Sequence, residues 1–140
     1  MKETVGRSIG MLSNLIRRHF STFSFHDTLS PAQGKTLHFI LARGQECDVF
    51  QKDIEEEYSL RPPTATKLLK DMEKNGLIYR EAVPYDARLK RIVATEKAMQ
   101  YQELIHQSLE ETEDRLTSGI SPQDLAVFFR VINQMIRNMS

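Results

Sequence analysis

The 140-residue chain has one cysteine, no net charge and no apolar run approaching the ~20 residues that a membrane-spanning helix needs. With Cys47 alone, an intrachain disulfide is impossible and an oxidising compartment is not implied. No apolar leader resembling a secretory signal opens the sequence, so the expected location is cytoplasmic, with no membrane partner. Enzyme signatures are missing as well: there is no Gly-rich phosphate loop, no Gly-x-Ser-x-Gly elbow and no His-Glu-x-x-His pair. The expectation is therefore no enzyme, no catalytic residue and no cofactor. His19, His26, His38 and His106 lie too far apart for an independent zinc site, so no metal site is assigned. No internal repeat or low-complexity tract interrupts the pattern. A length of 140 residues suits one domain with a core of its own.

A zero total hides an uneven distribution. Between Leu60 and Ile92, eight cations (Arg61, Lys67, Lys70, Lys74, Arg80, Arg88, Lys90 and Arg91) face four anions, Asp71, Glu73, Glu81 and Asp86. From Glu96 to Asp114 six acids face Lys97 alone. A basic head and an acidic helix elsewhere are what a nucleic-acid reader of low net charge requires.

The basic region has a definite local plan. Arg61 and Pro62 each precede a proline and are pushed towards extended geometry, while Pro63 suits the first helical position. Gly76 fits the left-handed position just past the helix end. At about 100° per residue, Ala65, Leu68, Leu69 and Met72 share one side, and Pro63, Lys67, Lys70 and Lys74 share the other. Taken alone, that pattern describes a solvated amphipathic helix. Its sequel changes the reading: Leu77 to Glu81 suits a strand, Arg91 to Ala94 a returning strand, and Pro84 to Lys90 the connection between them. A helix-turn-helix continued by such a hairpin is a winged helix, which puts its second helix in the major groove and a wing cation in the neighbouring minor groove.

At these residues the chain resembles the MarR (multiple antibiotic resistance regulator) family of transcription factors. The resemblance rests on Met72-Glu73, then Lys74-Asn75-Gly76-Leu77-Ile78-Tyr79-Arg80, then the wing signature Asp86-Ala87-Arg88, in family order and spacing. It extends more loosely over nearly the whole chain. Two departures stand out. Pro62 replaces the polar residue usual at the start of the recognition helix, which removes a side-chain cap. The family's Leu-Thr-x-x-Gly after the wing reads Ala94-Thr95-Glu96-Lys97-Ala98. The resemblance implies a mainly α fold, one MarR-like domain over residues 1–140. Its winged-helix DNA-binding part covers approximately 30–95, and its dimerisation helices approximately 1–25 and 96–140.

The flanks fit that plan. Val5, Ile9, Leu12, Ile16, Phe20 and Phe23 make one apolar stripe on a first helix. Ser30-Pro31-Ala32-Gln33 caps a second, reaching about Ala42, and Gln51 to Tyr58 makes a short third that braces the recognition helix. Glu96 to about Leu116 reads as one long helix. Ser121 caps the last helix, whose Leu125, Phe128, Phe129, Ile132, Met135, Ile136 and Met139 exceed what one terminal helix needs against a small core. Burial of the long helices against one another in a monomer is one outcome. A homodimer built from the first and last helices is preferred, because two heads then meet successive half-sites of DNA.

The expected function is a homodimeric DNA-binding transcriptional regulator, a ligand-responsive repressor on a pseudo-palindromic operator of double-stranded DNA. Thr64, Thr66 and Lys67 are the base-reading candidates, Lys70 and Lys74 the phosphate contacts, and Arg61 either. Pro63 shares their face. In the wing, Arg88 enters the minor groove, Lys90 adds charge, and Asp86 holds the tip by accepting backbone or arginine hydrogen bonds. By analogy with the family, a small aromatic or anionic effector binds near Phe20, Phe23, His38 and Phe39, residues that core packing explains equally well. Two alternatives are kept: a helical protein-interaction module using the basic face, and a metal- or redox-sensing regulator in which His38, His106 and Cys47 converge. Glu46 and Asp48 flank Cys47 and should raise its pKa, which favours a passive thiol.

Overall fold

The computed structural model describes residues 2–23 and 28–140; His26 lies outside them. Among these residues are seven helices and one hairpin: α1 (Val5–Phe20), α2 (Pro31–Gly44), α3 (Gln51–Tyr58), α4 (Pro62–Lys74), β1 (Ile78–Val83), β2 (Asp86–Ala94), α5 (Glu96–Met99), α6 (Gln102–Thr117) and α7 (Pro122–Met139). The chain divides into two compact units, Met1–Ser108 and Leu109–Ser140, with α6 running from one into the other. This is the mainly α, winged-helix architecture that the sequence suggested.

Helix starts follow the local chemistry. Ser30 and Ser121 accept backbone hydrogen bonds from Gln33 and Asp124, both at 3.1 Å, so one otherwise unpaired amide group is satisfied at each proline-led start. At α3 the reach is backwards: the Phe50 amide donates to the Asp53 carboxylate at 2.9 Å. The end of α4 is a Schellman turn. Gly76 has φ +74°, its amide donates to the Glu73 carbonyl, and the Leu77 amide donates to Met72. Leu77 thereby enters the core fully buried.

That core belongs to the first unit. Leu29 and Leu37, Ile54 of α3, Ala65, Leu69 and Met72 of α4, and Ile105 of α6 are all at 0–1% exposure. Each buried Leu or Ile is worth roughly 1.5–3 kcal/mol relative to exposure. Helix α1 contributes one buried residue, Phe20, whose ring lies over Gly34 of α2. A Cβ at Gly34 would come within 2.7 Å of the ring, so this glycine permits the close approach. In the second unit no described residue is buried.

Three local expectations need correction. Pro62 is helical, not extended: with Arg61 extended as the cap, the two prolines take the first two helical positions, where neither missing amide is needed. The hairpin is longer than expected, because β1 reaches Val83 and pairs it with Asp86, leaving a two-residue turn at Pro84 and Tyr85. Asp86, Arg88 and Lys90 therefore sit on a strand. The single helix expected from Glu96 to about Leu116 is broken into α5 and α6. At the break the amides of Gln100 and Tyr101 bond three residues back, to Lys97 and Ala98, tightening the turn and ending α5.

Candidate nucleic-acid interface

Helix α4 separates its faces as its spacing requires. Ala65, Leu69 and Met72 are buried and Leu68 half-buried, while Pro63, Thr64, Lys67, Lys70 and Lys74 are exposed. Pro62, Pro63, Thr66, Lys67, Lys70 and Asp71 line an open groove of about 600 Å³ along the outer side. Arg61 caps the helix with backbone only and is itself exposed.

Charge on this surface is sorted by pairing. Asp71 takes Lys67 at 3.3 Å, Glu73 takes Arg80 at 2.9 Å, and Asp86 takes Arg88 at 3.2 Å. Arg91 lies between Glu81 and Asp48, the latter at 3.2 Å. Every acid between Leu60 and Ile92 thus has a cation. Among the described residues Arg61, Lys70, Lys74 and Lys90 make no salt bridge, and all four are exposed. The excess positive charge of the region sits on these four side chains. They have no internal carboxylate to give up when a phosphate approaches.

The wing is held from two directions. Asp86 Oδ1 accepts from the Arg88 backbone amide at 2.9 Å and from its Nε at 3.2 Å, while Oδ2 takes the guanidinium Nη2 at 3.2 Å. These hydrogen bonds hold the Asp86 carboxyl below its usual 3.8, the guanidinium's contribution being larger than the amide's. Arg88 nevertheless keeps a side chain 90% exposed. At the turn, the Tyr85 hydroxyl donates to Asp48 Oδ2 at 3.0 Å, and the Ile92 amide donates to the Val49 carbonyl at 2.7 Å. Asp48 therefore ties the loop before α3 to both the turn and, through Arg91, strand β2. The sequence singled out neither Asp48 nor Tyr85 for this role, since nothing local marks a bond spanning 37 residues.

Comparison with known proteins shows what this arrangement is similar to. Residues 27–89, which carry α2 to the wing, match the model of the MarR family. The transcription regulator MarR of Oenococcus oeni is 28% identical, with a TM-score of 0.85 over 96% of this chain and 99% of that one. Just under half of the chain thus matches the MarR family model, and the whole chain resembles a MarR transcription regulator in fold. MepR of S. aureus, 24% identical, shares the fold at a TM-score of 0.87 over 98% of this chain and 99% of its own. The matched family and these neighbours are transcription regulators, not enzymes.

Of the four effector candidates, Phe20 and Phe23 share one setting, while Phe39 and His38 each meet other partners. Phe20 is core, 2% exposed, with Phe23 edge-on to it at 6.0 Å. Phe39 meets Tyr58 edge-on at 6.1 Å, and burial together with the Glu57 charge pushes the Tyr58 hydroxyl up to about 12. His38 stacks on His106 of α6 at 5.9 Å and 10°; partial burial, then the neighbouring imidazole, lowers its pKa from 6.5. A cleft of about 530 Å³ is lined instead by Ile40, Val49, Tyr79, Ile92 and Met99, among others, and by none of the four candidates. His38 and His106 do converge, but Cys47 does not join them: it is exposed, with its thiol 3.9 Å from the Arg43 carbonyl. Among the described residues no three metal-ligating side chains gather, and no helix is long and apolar enough to cross a membrane.

Proposed function

We propose that this regulator is a cytoplasmic repressor that binds a pseudo-palindromic operator as a homodimer and releases it when a small aromatic or anionic effector binds. Helix α4 lies in the major groove, with Thr64, Thr66 and Lys67 towards the bases and Arg61, Pro63, Lys70 and Lys74 along the backbone. Arg88 enters the minor groove, Asp86 orients it, and Lys90 meets phosphate. The observation that carries this reading is the sorting of charge between Leu60 and Ile92: every acid there is paired, and Arg61, Lys70, Lys74 and Lys90 are left exposed without a carboxylate partner on α4, its cap and the wing. The MepR structure of the same fold is that of a DNA complex, which supports the placement.

The dimer is supported by exposed apolar side chains. Val5, Ile9, Met11, Leu12 and Leu15 of α1 are 43–55% exposed, and Val127, Phe128, Phe129 and Ile136 of α7 are 47–55% exposed. A surface of that kind on a regulator marks an interaction site. Selection of duplexes from a random library, followed by affinity measured against salt, tests the reading. Recovery of a two-fold symmetric site with steep salt dependence is the expected result. Equal affinity for all duplexes, or none for any, would sink it.

A further inference from the structure

The side-chain amide of Gln51 joins three elements at the entrance of α4. Its Nε2 donates to Thr66 Oγ1 at 2.9 Å and to Glu55 Oε2 at 3.1 Å, with the Pro62 carbonyl at 3.4 Å. Its Oε1 accepts from Arg80 Nη1 at 3.4 Å, and Arg80 Nε is held in turn by Glu73 at 2.9 Å. These partners fix which end of the amide is which. A carboxylate and a carbonyl can only accept, and a guanidinium can only donate, so exchanging nitrogen and oxygen would oppose like with like on both sides.

That orientation has a consequence for Thr66. A hydroxyl owns one proton and two lone pairs. With Gln51 donating into Oγ1, the threonine proton cannot point towards Gln51. Among the described residues Thr66 donates to no group, and it lines the open groove beside Lys67 and Lys70. The hydroxyl is therefore left as a donor facing outwards, on the side that the DNA reading gives to base edges.

We infer that Gln51 is a positioning residue that sets the polarity of Thr66, making Thr66 a reader of base acceptors. In the major groove guanine offers O6 and N7, adenine N7 and thymine O4, whereas cytosine offers only its N4 amino donor. Thr66 then excludes cytosine at the base it faces. This inference rests on the placement of α4 in the major groove.

The test is selection from a random duplex library by the full-length chain and two variants. The wild-type protein should deplete cytosine at one position of each half-site. Thr66→Val keeps the shape and removes the proton, so it should lose that depletion, and affinity for the best site should fall roughly two- to tenfold, the net worth of one hydrogen bond. Gln51→Glu, made together with Glu55→Gln so that no carboxylate opposes the new one, offers an acceptor to Thr66 and draws its proton inwards, with Arg80 at hand to balance the new charge; cytosine should become the favoured base there. A thermal melt establishes that each variant is folded, and if the double variant is not, Thr66→Val alone decides. Identical base preferences in wild type and variants overturn the inference while leaving DNA binding standing. If Thr66→Val loses the depletion but the folded double variant keeps it, the role of Gln51 is overturned. A wild-type protein that selects no sequence overturns the DNA reading, and the inference with it.

Discussion

Apolar side chains of the same kinds meet opposite fates in the two units of this chain. In the first, Leu29, Leu37, Ile54, Leu69, Leu77 and Ile105 are fully covered by neighbours within the chain. In α7, Phe128 and Phe129 stack edge-on against each other and remain 47% and 50% exposed, and the helix buries no residue at all. Leu37, Leu69 and Ile105 stand on amphipathic helices just as the phenylalanines do, so periodicity alone treats them alike. What differs is whether the chain itself covers them. Within the first unit, the part from α2 to β2 closes its own core and presents charge outwards, whereas α1 leaves Val5, Ile9 and Leu12 exposed as α7 does its aromatics. Helix α7 presents aromatics, and covering the exposed half of each phenylalanine would be worth roughly 1 kcal/mol or somewhat more.

The sharpest way to break that contrast is to make α7 charged. Phe128→Asp together with Phe129→Asp should leave the first unit's core untouched and raise the dimer dissociation constant by about a thousandfold or more, taking ~2 kcal/mol for each buried aromatic anchor. Sedimentation over a range of concentrations reads this directly. An unchanged distribution would take α7 out of the interface.

Next in size is the core itself. Leu69→Ala should cost about 2–5 kcal/mol in denaturant unfolding, because it removes buried methyl groups and leaves a cavity. Val127→Ala, made in the charged α7 background, should change the same measurement by less than about 0.5 kcal/mol, as a substitution at an uncovered surface. Equal costs at the two positions would erase the distinction between the units. A smaller effect is expected at the one buried contact of α1: Gly34→Ala forces a methyl against the Phe20 ring and should cost about 1–3 kcal/mol. Phe20→Leu in the same chain should recover part of that loss, and strict additivity would show that the ring is not what the glycine accommodates.

What was legible beforehand follows the range of the forces involved. Caps act over three residues, so Ser30, Ser121 and the Gly76 turn were readable from the sequence and appear where expected. The faces of α4 were readable because one helix period suffices to separate Leu69 from Lys70. The break before α6 was not: Gln100 and Tyr101 are ordinary helical residues, and neither glycine nor proline marks the place. In the candidate site, residue types were legible but pairings were not. Arg80 counts as a cation in any tally, yet it is committed to Glu73 and Gln51, and Asp48 holds the wing from a loop 37 residues away. Such bonds become visible only when the chain has folded.

Charged groups divide into covered and uncovered just as apolar ones do, and that division ranks the next effect. Lys74 has no carboxylate to leave, so Lys74→Ala should weaken binding to specific and random duplexes alike and flatten the dependence of log affinity on log salt by about 0.9. Lys67 must give up Asp71 first. Lys67→Ala should therefore flatten the slope less, and a larger change at Lys67 than at Lys74 would show that internal pairing does not rank these contacts.

The smallest expected effect carries the most information about the wing. Asp86 is an acid on a surface meant for phosphate, so simple electrostatics says that Asp86→Ala should tighten binding at every salt concentration. The geometry points the other way, because Asp86 fastens both the backbone amide and the guanidinium of Arg88. Exposed ion pairs contribute little by themselves, so the loss should come from disordering Arg88 and should be modest, about two- to tenfold in affinity. Asp86→Asn separates the two contributions: it keeps an oxygen for the Arg88 amide while removing the charge. If orientation is what matters, Asp86→Asn should lie between wild type and Asp86→Ala. The charge itself can be followed without DNA, since the Asp86 carboxyl should titrate below 3.8 by NMR. The sign follows from that direction: the lowered pKa means that the folded wing favours the ionised carboxyl. Its grip on Arg88 is complete above 3.8 and is lost only as pH falls through the lower folded value. Tighter binding by both variants would mean that Asp86 only repels DNA and does not organise the wing.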